Sequence, residues 1–156
     1  MVNVREWLDE NYPLEARKDI KELNIGKRNL ERNPQGIETE LEGYLNLRDF
    51  VNLEKLNCSR QKITSLYLSS CLQLQELNCS RNQISELDLT YLNNLTIVYC
   101  SDNKIDEINL GYLCEIIEFS CGNNRLTDLG FLSQLSSEKL KDLWINDNNF
   151  PSTMFC

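Results

Sequence analysis

Apolar residues return along this chain at a fixed spacing. Leu53, Leu56 and Cys58 open one segment, and the same arrangement recurs at Leu74, Leu77 and Cys79, at Leu95, Val98 and Cys100, and at Ile116, Phe119 and Cys121. The starting positions 53, 74, 95 and 116 lie 21 residues apart each time. Each unit then carries Gln61, Asn82, Asn103 or Asn124, followed by Ile63, Ile84, Ile105 or Leu126. A second apolar pair closes it: Leu66 and Leu68, Leu87 and Leu89, Ile108 and Leu110, Leu129 and Phe131. Leu53, Leu56 and Cys58 face inward while Lys55, Asn57 and Ser59 face outward, the alternation of a short strand. The second pair predicts another extended segment on the opposite side, because so few residues per half-turn leave no room for a long helix. One unit alone cannot bury its apolar edge, so stability must come from stacking.

Two less regular units flank these four. One opens at Ile20, Leu23 and Ile25, with Arg28 where Asn is expected; residues 31–41 interrupt it before Leu45, Leu47 and Phe50 resume. The other opens at Leu140, Leu143 and Ile145, with Asn148 and Phe150, after extra residues near Ser133 to Lys139. Asn82, Asn103, Asn124 and Asn148 stand at the turn that leaves each strand, where an amide can satisfy backbone groups, and they predict a buried ladder. Ahead of the repeats, Val4, Trp7 and Leu8 at helical spacing, stopped by Pro13, predict an amphipathic capping helix.

The pattern resembles the leucine-rich repeat family, in its 21-residue class with a nested half-repeat. That resemblance implies an α/β leucine-rich repeat solenoid, mostly β coils with two narrow parallel sheets and an N-terminal capping helix. Residues 1–19 would form the cap and 20–156 a solenoid of about six units, with the insertion at 31–41 and the last unit incomplete. It also implies a protein-recognition module that binds through its strand-lined face and has no chemistry of its own.

Composition narrows the function further. With 16 basic against 24 acidic side chains the net charge is -8, which argues against nucleic acid and anionic membrane as partners. The chain has no histidine, so a His-based triad or His metal site cannot form. No Gly-rich phosphate loop or nucleophile motif is present, and the expectation is a protein that is not an enzyme and takes no cofactor.

Seven cysteines, an odd number, fit a disulfide framework poorly. The N-terminus is charged from Arg5 and lacks the apolar core of a signal peptide, so a reduced, cytoplasmic protein is expected. Cys58, Cys79, Cys100 and Cys121 recur at one inward strand position and would form a line, not a tetrahedron, so no metal site is expected of them. Cys71 also reads as core, whereas Cys114 and Cys156 fall off the repeat positions and are the candidates for exposed thiols. Ser101 to Glu107 has Lys104 where a calcium loop needs a ligand.

Outward positions one period apart become neighbours in space, so columns of such residues describe the surface. The first sheet is basic in its amino-terminal half, at Lys27, Arg60 and Arg81, and carries Tyr99, Asp102, Asp142, Trp144 and Asp147 in its other half. Ile97 beside Tyr99 breaks the polar rule of that face. Arg60, Arg81, Ile97, Tyr99, Asp102, Asp142 and Trp144 are the candidate partner-binding residues, since aromatics and arginine dominate interface hot spots. The alternative is a self-assembling repeat unit that forms homo-oligomers through its C-terminal end, with Phe150, Met154 and Phe155 as the candidate edge.

Overall fold

The computed structural model of the chain describes residues 1–111 and 115–152. Cys114, Met154, Phe155 and Cys156 lie outside the described residues. The chain enters through a two-residue strand β1 (Val2–Asn3) and helix α1 (Val4–Asn11), then a single turn α2 (Leu14–Arg17). Asn3 caps α1, its side-chain oxygen accepting from the backbone N–H groups of Arg5 at 2.9 Å and Glu6 at 3.4 Å. Val4 and Leu8 are the buried face of that helix. Beside it, the buried Arg17 pairs with Asp9 and Asp49 and lies over the Phe50 ring at 5.7 Å, fastening the cap to the first coil.

The coils contribute β2 (Glu22–Asn24), β3 (Leu41–Asn46), β4 (Lys55–Asn57), β5 (Lys62–Tyr67), β6 (Glu76–Asn78), β7 (Glu86–Asp88), β8 (Ile97–Tyr99), β9 (Glu107–Asn109), β10 (Glu118–Ser120) and β11 (Asp142–Trp144). Strands β2, β4, β6, β8, β10 and β11 form one six-stranded sheet. All its pairs are parallel and in register, so that Leu23, Leu56, Leu77, Val98, Phe119 and Leu143 fall in one row. On the other side the strands pair in two groups, β1-β3-β5 and β7-β9. Gln83 N–H still donates to Ile63 carbonyl oxygen at 2.8 Å, but β5 and β7 do not continue that bond into a ladder.

The core runs between the two sides as a file of stacked apolar layers, with Leu53, Leu74, Leu95 and Ile116 in one row and Cys58, Cys79, Cys100 and Cys121 in another, all wholly buried. Leu143 continues the inward row of β11 but is 37% exposed, because β11 is the edge strand. Asn103 shows how coils are joined. Its Oδ1 accepts from Ile84 N–H of the preceding coil at 3.0 Å, while Nδ2 donates to the carbonyls of Cys79 and Cys100, each at 3.0 Å. Asn82, Asn124 and Asn148 repeat the arrangement. In the second coil the longer Gln61 takes this place, donating to Ile25 carbonyl at 2.7 Å and accepting from Leu41 N–H at 2.8 Å in the first. Leu41, the last residue of the inserted stretch, is therefore a buried core residue of β3.

Among the described residues no helix is long and apolar enough to cross a membrane.

Candidate functional site

The six-stranded face carries two adjoining grooves. One, of about 280 Å³, crosses β2, β4 and β6 and ends on Ile97 and Tyr99. The other, of about 240 Å³, lies where the chain leaves those strands and is lined by Arg32, Arg60, Arg81, Asp102 and the serines 59, 80, 101 and 120. Asn57, Asn78 and Tyr99 line both, which makes one continuous surface.

The strand that places each side chain also sets its character. Lys55 and Glu76, outward on neighbouring strands, pair at 2.8 Å, and the Glu76 carboxylate raises the Lys55 pKa. Tyr99 is half-buried and its hydroxyl donates to the Glu118 carboxylate, which with burial pushes its pKa up to about 12. The ring is thereby pinned between the grooves. Asn57 and Asn78 each accept, through Oδ1, the backbone N–H of Ser59 and Ser80 at 3.1 Å. That bond fixes the orientation of both amides.

The chain turns out of β4, β6, β8, β10 and β11 through one left-handed residue each: Arg60, Arg81, Asp102, Asn123 and Asp147, with φ between 53° and 61°. Asn and Asp tolerate this conformation through local hydrogen bonds, whereas a long side chain has no such relief. Asp102 accepts from Arg81 Nε at 3.1 Å and from Asn123 Nδ2 at 2.6 Å, tying three successive coils together.

A wall of the second groove comes from the insertion. Asn33, buried, exchanges two hydrogen bonds with Asn24 of β2, at 2.9 and 3.2 Å, and donates a third to Gly26 carbonyl at 3.3 Å. Gly26 is needed there, since a Cβ would come within 2.7 Å of Asn57 Oδ1 and 2.9 Å of Asn33 Nδ2. Asn29 and Asn33 close the loop tip with two backbone bonds, and Asn29 Oδ1 also accepts from Arg32 N–H at 2.9 Å. Arg32 is thus delivered to the groove from an ordered loop.

Of the residues expected from the sequence, Arg60, Arg81, Tyr99 and Asp102 meet in the second groove, and Ile97 joins Tyr99 in the first. Asp142 and Trp144 lie on β11, outside both. Trp144 instead borders a separate depression at the sheet edge with Leu143, Ile145 and Phe150. Phe150 is half-buried against the core. Arg32, Asn33, Asn57 and Asn78 were missed. Asn57 and Asn78 were visible as a column of identical outward residues, but no periodic signal pointed to Arg32 or Asn33.

The buried thiols are held protonated. Burial raises the pKa of Cys71, Cys79 and Cys121 to about 12 and that of Cys58 and Cys100 well above the ordinary value. Among the described residues no group of side chains is arranged to hold a metal ion.

A parallel solenoid of 21-residue coils with an N-terminal helix defines the class of fold, that of a leucine-rich repeat solenoid. The family model described as Leucine Rich repeats (2 copies) matches residues 72–112. A solved structure described as the functional domain of InlJ from Listeria monocytogenes, which includes a cysteine ladder, is similar with a TM-score of 0.58 and 25% identity. The similarity covers 83% of this chain and 40% of that one, so this chain spans less than half the length of that protein. No curated protein matches it. Proteins of this kind are in general non-catalytic interaction modules.

Proposed function

We propose that this protein is a non-catalytic interaction module that holds a protein partner against its six-stranded face, between the insertion and Tyr99. The observation that carries this reading is the continuous pair of grooves, apolar at Ile97 and Tyr99 and cationic at Arg32, Arg60 and Arg81. A flat solvated face would need neither an inserted wall nor a pinned aromatic at its centre. Site-specific photo-crosslinking tests it. A photoreactive residue at position 97 should give a discrete adduct with a partner, and the same residue at Glu86 on the opposite side should not. Adducts from 86 alone would refute the proposal.

A second reading rests on the edge strand β11, where Leu143 and Trp144 are 37% and 45% exposed and offer backbone for another coil to pair with. A second copy docking there would make homo-oligomers. Analytical ultracentrifugation over a hundredfold concentration range decides it: a dimer that Leu143→Lys dissociates supports self-assembly, and a monomer throughout refutes it.

A further inference from the structure

The second groove has more hydrogen-bond donors than the protein itself uses. Asn57 and Asn78 spend their oxygens on Ser59 and Ser80 N–H, which leaves each Nδ2 facing away from that bond with no protein acceptor among the described residues. Arg60 and Arg32 likewise have no acceptor there for their guanidinium groups. Arg81 uses Nε on Asp102, whose carboxylate is already shared with Asn123. Three guanidiniums and two amides therefore converge on one groove against a single, committed carboxylate.

The backbone adds a separate observation. Arg60 and Arg81 hold φ of 61° and 58° at the position where later coils of the same chain place Asp102, Asn123 and Asp147. An arginine in the left-handed region costs stability that Asn or Asp would largely avoid. Strained residues of this kind gather at functional sites. Both arginines stand on neighbouring coils, about 4.8 Å apart along the stack, close enough to act on one ligand group. Arg32 faces them from the ordered loop of the insertion, so little loop entropy remains to be lost on binding.

We infer that this end of the surface is a carboxylate-binding subsite: an extended acidic segment of a partner protein places a Glu or Asp side chain between Arg32, Arg60 and Arg81. An apolar residue of the same segment reaches Ile97 and Tyr99 in the adjoining groove. Guanidinium forks and amide donors match the planar, two-oxygen acceptor of a carboxylate. The inference rests on the strand face being the interface, as proposed above.

A phage-displayed library of random nonapeptides, panned against the purified protein, tests it, with the strongest clone resynthesised and measured by fluorescence anisotropy. Enrichment of Asp or Glu near an apolar residue is expected, and Arg60→Gln or Arg32→Gln should each weaken the peptide by about tenfold. Arg60→Asn should also lose the peptide while raising the melting temperature by a few degrees, a split that a purely structural arginine would not produce. Peptides without acidic residues, or affinity indifferent to Arg32→Gln and Arg60→Gln, overturn the subsite. If Tyr99→Ala still abolishes such binding, the interface reading survives alone. No enrichment, or binders that ignore Tyr99→Ala as well, overturns both. Tenfold tighter binding when phosphoserine replaces the acidic residue, or displacement of the peptide by an equimolar single-stranded oligonucleotide, overturns the carboxylate assignment.

Discussion

Asn24 and Asn33 hold each other by two reciprocal side-chain hydrogen bonds, at 2.9 and 3.2 Å. One sits in the first strand of the large sheet and the other in the inserted loop, so this pair sets where the insertion lies and hence what walls the groove.

Replacing Asn33 by Ala removes both bonds and leaves the Asn24 amide unmatched at a part-buried site. The expected loss is about 1 to 3 kcal/mol. It should be local: hydrogen exchange of the Arg28 and Ile37 amides, which bond across the loop base, should accelerate while β8 and β10 stay protected. Unchanged exchange at Ile37 would mean that the backbone turn alone holds the loop.

The inward and outward rows of the sheet differ sharply in energetic weight. Leu77 is 1% exposed in the middle of the stack, and Leu77→Ala should cost about 2 to 5 kcal/mol through lost burial and a cavity. Its neighbour Glu76 carries an exposed pair with Lys55, so Glu76→Ala should be nearly silent in urea denaturation. Equal effects would contradict the packing.

Asn103→Ala takes one amide from three carbonyls and one N–H, at 3.0 to 3.3 Å, and should cost about 2 to 4 kcal/mol. Asn103→Asp should be no milder, because a carboxylate cannot donate to carbonyl oxygens. At the second coil Gln61→Asn should also destabilise, since the shorter amide cannot span from Ile25 to Leu41. Thermal denaturation of the three variants checks the set, and a stable Asn103→Asp would exclude the donor role.

The buried thiols make stability depend on alkaline pH. In the unfolded chain they ionise from about pH 8.5. In the folded chain Cys71, Cys79 and Cys121 keep their protons up to about 12. Between those values the unfolded state releases protons that the folded state retains, so stability is full below about pH 8.5 and falls as pH rises, by at most about 1.4 kcal/mol per pH unit per thiol. The urea midpoint should drop between pH 8 and 10, and drop less steeply in Cys79→Ala. Identical slopes would show that this thiol ionises alike in both states.

The 21-residue period, the inward rows from Leu53 to Cys121, the amide ladder and the capping helix were all legible in the sequence. Each depends on a residue meeting its equivalent one coil away, so periodic spacing alone specifies the contact. The left-handed turn was not read from the sequence: it falls one residue before each ladder amide, where Arg60 and Arg81 conceal it. What else escaped was not periodic. The insertion occurs once, and its place on the face follows from the match of Asn33 to Asn24, with room left by Gly26. Trp144 and Tyr99 hold the same repeat position, which the periodicity made visible. Only the stacking order puts β10 between their strands, so that Tyr99 lies on the grooves and Trp144 borders a depression of its own at the sheet edge.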